Sequence, residues 1–173
     1  MKFLTALLLS MLVALPLKAA TVGEPAPDFE LSDQYGDPYS LDDFDGRYAY
    51  VDTLAEARRI FVFDCNFRDN IYAVRGAGAD VVGVSVDSVE DQKAFSDKYK
   101  LPFPVLSDVG GQTSQAYGVL REMGSTEIAA RQTFLIDPNG VVVKHYEQVD
   151  PETHTQDVVA DLQSFREDYA PAG

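Results

Sequence analysis

The chain has 173 residues, with 14 basic against 28 acidic side chains and a formal net charge of −14. That balance repels phosphate backbones and anionic bilayers, which excludes nucleic-acid binding as a class. The 46% hydrophobic content, with nine tyrosines and ten phenylalanines, excludes a disordered chain, and a single cysteine, Cys65, excludes an internal disulfide, a CxxC oxidoreductase and any multi-thiolate metal site.

Residues 1–20, MKFLTALLLSMLVALPLKAA, read as a secretory signal: Lys2 at the front, an apolar run from Phe3 to Leu17, then small residues. The run is too short and wrongly flanked for a membrane span. Cleavage after Ala19 or Ala20 is expected to leave residues 21–173 as one exported domain, periplasmic or secreted. Without Lys2 and Lys18 the balance becomes 12 basic against 28 acidic residues.

A Pro-rich lead-in, residues 21–28, precedes Phe29–Ser32 and Pro38–Leu41, which flank a Gly-containing turn and read as a hairpin. Two strand candidates follow, Tyr48–Val51 and Ile60–Phe63, with Leu54–Arg59 of helix-forming composition between them. Either fits as the central strand, and the aromatic and β-branched content favours 60–63. Asn66–Arg75 has helical spacing, with Phe67, Ile71 and Val74 on one face and Gly76 and Gly78 beyond its end. Val81–Val86 is a continuous apolar run, the mark of a strand covered on both sides. Val89–Lys98 reads as a helix. Phe103–Leu106 reads as a short strand whose flanking Pro102 and Pro104 suit a sheet edge. Thr113–Tyr117 is one or two helical turns. Thr133–Ile136 and Val141–Tyr146 are strands joined by the turn Asp137–Gly140, and Pro151–Phe165 is an amphipathic helix with Val158, Val159, Leu162 and Phe165 inward. The alternation predicts an α/β domain, a central sheet with helices on both faces.

Few polar residues stand out. His145 and His154 are far from metal-ligand spacing, no carboxylates follow a calcium-loop pattern, and no metal or cofactor is expected. His154, just inside the last helix, reads as a solvated or capping residue. Asp87 and Asp108 follow strands and read as turn or cap residues. Gly76-Ala77-Gly78 does not complete a dinucleotide fingerprint. The chemistry-bearing feature is one thiol near a helix start.

Five segments, in order and at matching distances, resemble the peroxiredoxins, closest to the monomeric bacterioferritin-comigratory (Q-type) branch. They are Val22–Leu31 with Ser40–Phe44; Val81–Asp108; Ala116–Val119; Arg131–Pro138; and Val149–His154. The resemblance implies a thioredoxin-like fold, with a mixed sheet and an N-terminal hairpin extension. It also implies a monomeric thiol peroxidase acting on hydrogen peroxide or organic hydroperoxides. A thioredoxin-like protein or a small thiol would regenerate it.

The family's Pro-x-x-x-Thr/Ser-x-x-Cys segment is absent: residues 52–64 depart from it. Cys65-Asn66-Phe67-Arg68-Asp69 matches the position of the branch's second, resolving cysteine, which puts Ile60 where the nucleophile belongs. Another alignment puts Asp52 there. A helix start and a nearby cation would lower a thiol's pKa, and a thiolate attacks peroxide to give a sulfenic acid. The resemblance makes Arg131 the arginine that binds the peroxide and stabilises the thiolate. The plain alternative for Arg131 is a strand-edge ion pair. Two readings follow: a one-cysteine peroxidase using Cys65 and Arg131, or a catalytically silent binding or scaffold protein. A thiol–disulfide or copper-handling role would require a CxxC or CxxxC pattern with a histidine.

Overall fold

A computed structural model describes residues 19–44, 46–53, 63–150 and 153–168. Its strands are β1 (Glu30–Ser32), β2 (Pro38–Ser40), β3 (Tyr48–Thr53), β4 (Ala79–Ser85), β5 (Val105–Ser107), β6 (Leu120–Met123), β7 (Thr126–Ala129), β8 (Gln132–Ile136) and β9 (Val142–Tyr146). Its helices are α1 (Phe63–Gly76), α2 (Val89–Tyr99), α3 (Gln112–Ala116) and α4 (His154–Asp168). Among these residues no helix is long and apolar enough to cross a membrane.

Seven strands form one sheet in the order β2-β1-β5-β4-β3-β8-β9. β3, β4 and β5 run parallel, while β8 is antiparallel to β3 and β9 to β8. The apolar run of β4 is covered on both faces because side chains alternate across a strand. Tyr48, Val81 and Leu135 face one layer, packed on Ile71 and Val74 of α1, Phe95 of α2, and Val158 and Leu162 of α4. Ala49, Val51, Val82, Val84, Phe134 and Ile136 face the other, packed on Phe29, Phe44, Tyr117, Val119 and Ala129. Tyr117 meets Phe134 edge-on at 5.0 Å, and its hydroxyl donates to the Pro27 carbonyl at 2.9 Å.

The N-terminal lead-in spans this second face from one sheet edge to the other. At the β9 edge, Gly23 N–H donates to Val142 O (2.8 Å), Val142 N–H to Glu24 O (3.0 Å) and Ala26 N–H to Gly140 O (2.8 Å). At the far edge the β1–β2 hairpin pairs Ser32 with Ser107, and Gln34 Oε1 accepts the Val105 N–H at 2.8 Å. The expected hairpin extension is therefore present, and it corrects one expectation. The Pro-flanked strand is not an edge strand, because the hairpin lies outside it.

Two further corrections concern the chain's middle. The central strand of the two early candidates is β3, while Phe63 opens α1 and residues 54–62 lie outside the described residues. The antiparallel pair β6–β7, closed by Gly124-Ser125, was not anticipated. Its outer residues Arg121–Glu127 are exposed, so they carry no apolar periodicity. The two-residue Gly-Ser turn, with Gly124 at φ +68°, was the available signal.

Candidate functional site

The C-terminal end of the parallel strands brings the start of α1 and the start of β8 together. Helix α1 leaves its last turn at Gly76 and enters β4 beside the start of β3, where Tyr48 is in register with Ala79. Its first turn therefore lies at the opposite end of the sheet, the end where β3 finishes at Thr53. Cys65 is the third residue of α1. β8 runs antiparallel to β3 with Gln132 opposite Thr53, so Arg131, half-buried and immediately before β8, is at that same end. The backbone thus brings the Cys65 turn and Arg131 to one end of the sheet. The sulfur–guanidinium approach expected of the pair lies outside the described residues, as does Ile60.

Thr53 is 2% exposed and its hydroxyl is used fully. Oγ1 lies 2.7 Å from Ala130 O and 2.9 Å from Gln132 O, which share its one proton, and accepts the Gln132 N–H at 3.1 Å. On the opposite face Asp52, 3% exposed, accepts the Thr133 hydroxyl at 3.0 Å, and Thr133 Oγ1 lies 3.0 Å from His154 Nε2.

His154, expected to be a solvated or capping residue, is therefore not solvated. It opens α4 at 2% exposure, with Tyr146 against it edge-on at 4.8 Å. Burial lowers its pKa to about 4, outweighing the nearby carboxylates of Asp157 and Asp161, which act to raise it. The imidazole is neutral near pH 7. Tyr146 in turn donates to Asp161, and burial together with that carboxylate raises the phenol's pKa.

Arg68, part of the cysteine-centred motif, donates to the Tyr99 carbonyl at 3.1 Å. A cation at the carbonyl end of α2 is favourable, so Arg68 joins α1 to α2. Asp108 acts as the expected cap: 1% exposed, it accepts the N–H groups of Thr113 and Ser114 and the Ser114 hydroxyl, at 2.7–3.0 Å. Asp87 accepts the Ser85 hydroxyl within the turn after β4. The chain Asp52–Thr133–His154 was missed. Its members are 81 and 21 residues apart in sequence, and only the strand pairing brings them together.

This end of the sheet carries the first turn of α1, to which Cys65 belongs, and a half-buried arginine beside a pinned strand start. A helix start favours thiolate, and a guanidinium can hold an oxygen anion.

The sequence profile of the AhpC/TSA family matches residues 22–145. A chloroplastic peroxiredoxin Q of Sedum lineare is 40% identical over 149 residues, spanning 84% of this chain and 80% of that protein. The peroxiredoxin Q of Oryza sativa subsp. japonica is 39% identical over 146 residues, spanning 83% and 67%. Among solved structures, peroxidoxin BcpB of Mycobacterium tuberculosis superposes with a TM-score of 0.78 at 27% identity, over 85% of this chain and 99% of that one. Peroxiredoxin Q of Xanthomonas campestris gives 0.72 at 26% identity, over 79% and 90%. The mixed sheet and its helices are those of the thioredoxin-like fold of these structures.

Proposed function

The chain belongs to the AhpC/TSA family of peroxiredoxins, and from that premise we propose that it is a thiol peroxidase using Cys65 as nucleophile and Arg131 as its electrostatic partner. The observation that carries this reading is that the first turn of α1, with Cys65, and the start of β8, with Arg131, share one end of the sheet. The thiolate attacks the terminal oxygen of hydrogen peroxide or an alkyl hydroperoxide. The S–O bond forms as the O–O bond breaks, and the leaving alkoxide or hydroxide takes a proton. Sulfur is oxidised to sulfenic acid while the peroxide is reduced to alcohol or water. An external thiol condenses with the sulfenic acid, releasing water, and a second thiol resolves the mixed disulfide. This external step is required because the chain has no second cysteine. The chain acts as a monomer.

Residues 1–20 are proposed to be removed on export to the periplasm or medium. The N-terminus then falls at Ala20 or Thr21, which mass spectrometry of the native protein reads directly; an intact Met1 on the native protein contradicts export.

A second reading, a catalytically silent scaffold, is favoured by one observation. Cys65 stands in the Cys-x-Phe-Arg-Asp context of a resolving cysteine, and Arg68 of that motif serves to join α1 to α2. One experiment separates the two. Peroxide consumption with an excess of thiol is measured for wild type and Cys65→Ser, with a dimedone-type probe for sulfenic acid. The peroxidase reading requires turnover and probe labelling that Cys65→Ser abolishes. Equal, background-level turnover in both leaves the scaffold.

A further inference from the structure

The backbone on either side of Arg131 is tied at four polar groups. Ala130 donates its N–H to Val119 O at 2.7 Å, and its carbonyl accepts the Thr53 hydroxyl at 2.7 Å. Gln132 donates its N–H to Thr53 Oγ1 at 3.1 Å, and its carbonyl lies 2.9 Å from the same atom. Three of these four groups lie within hydrogen-bond distance of a single hydroxyl oxygen, which accepts the Gln132 N–H and shares its one proton between the two carbonyls, the shorter contact being to Ala130.

The neighbouring side chains reinforce the grip. Gln132 Oε1 lies 3.0 Å from His145 Nε2, and the His145 ring stacks on Phe134 at 4.2 Å with the planes 12° apart. One rung further along, Asp52 holds Thr133 from the opposite face of the sheet. The start of β8 is thus gripped from both faces by adjacent residues of β3.

Strand pairing by itself does not call for a hydroxyl at position 53. A valine has the same shape, a higher strand preference and no polar atom to satisfy in a site 2% exposed. What the hydroxyl adds is a tie to the loop carbonyl of Ala130, beyond the last rung of the ladder. That carbonyl precedes Arg131 directly.

We infer that Thr53 is a positioning residue for Arg131, fixing the backbone from which the guanidinium reaches the reacting thiol and peroxide. The inference rests on the reading of Cys65 and Arg131 as the peroxidase pair. A small tilt of the backbone swings a long side chain's head group by about an ångström, and misplacement on that scale costs about a hundredfold in rate.

The test compares Thr53→Val, Thr53→Ser and Arg131→Gln with wild type in the full chain. Two quantities are read: kcat/KM for hydrogen peroxide with excess thiol, and the pH midpoint of Cys65 alkylation by iodoacetamide. The second needs no turnover. Thr53→Val is expected to lower kcat/KM about tenfold or more. It also moves the alkylation midpoint upward, toward the ordinary thiol value of about 8.5. Thr53→Ser keeps the hydroxyl and stays within about threefold of wild type, with its midpoint unchanged. Thermal melts of both variants accompany the kinetics, since a merely structural threonine would lower the melt without moving the midpoint. If Arg131→Gln loses rate and raises the midpoint while Thr53→Val does neither, the positioning role is overturned and the peroxidase reading stands. If Arg131→Gln also changes neither quantity, the peroxidase reading itself falls, and the role of Thr53 with it.

Discussion

Thr133 gives its one hydroxyl proton to Asp52, 3.0 Å away, which leaves His154 Nε2, also 3.0 Å from that hydroxyl, as the donor to Thr133. The ring is thereby assigned as the neutral Nε2–H tautomer. A protonated ring would place a charge among buried residues. This sets a direction for the protein's response to acid.

The folded-state pKa of His154, about 4, lies below its ordinary 6.5, so the unfolded chain binds the extra proton first as pH falls. Stability from this group is intact above pH 6.5 and declines as pH drops toward 4, by at most about 3 kcal/mol. Urea unfolding from pH 7.5 to 4 should show that slope. His154→Gln, which keeps a donor but cannot titrate, should flatten it. An unchanged slope in the variant would assign the acid sensitivity to other groups.

Asp108→Ala removes the acceptor for two backbone N–H groups and one hydroxyl at the start of α3, all buried. The expected loss is about 2–3 kcal/mol in urea unfolding at pH 7, more than an exposed cap would give. Asp108→Asn, which keeps one acceptor oxygen, should lose less.

Tyr146→Phe deletes the hydroxyl bonded to Asp161 while leaving that carboxylate its contact with Lys144 at 3.3 Å. Because Asp161 keeps a partner, the cost should be modest, about 1 kcal/mol. Denaturant midpoints of the two proteins measure it.

Gly111→Ala should destabilise by about 1–3 kcal/mol. Its φ of +67° disfavours a side chain, and an added Cβ would meet Leu120 Cδ1 at 2.7 Å. Combining it with Leu120→Ala should recover the steric part and leave the backbone part, and the pair of melts tells the two apart.

What the sequence shows and hides follows from burial. The helix face Ile71–Val74 and the run in β4 were legible because burial imposes a period on apolar residues. β3 was the harder strand to choose because it ends in Asp52-Thr53, two polar residues that no apolar template rewards, although both are almost fully buried. Their worth depends on Thr133, Gln132 and Ala130, which strand pairing brings across the sheet. His154 was misread for the same reason: a histidine at a helix start looks solvated until β9 and its Tyr146 are laid against it. Arg131 was singled out through family likeness alone, since nothing in its local spacing distinguishes it.

The lead-in that crosses the sheet has a consequence for the order in which the molecule comes together. Residues 23–26 are among the first of the domain to be synthesised, yet their hydrogen-bond partners are at 140–142, nearly the whole domain later. Contacts of such sequence separation are slow to form. Until the second half of the chain exists, the start of β9 has nothing to receive the lead-in. Until the lead-in settles, the hairpin that shields β5 is tethered to a segment still in motion. Both flanks of the sheet are thus closed late by one stretch of chain. A nascent or partly folded molecule meanwhile presents unsatisfied strand edges to its neighbours. Holding the N-terminus away from the sheet should therefore slow the final step of folding and promote self-association, even with every residue of the core intact.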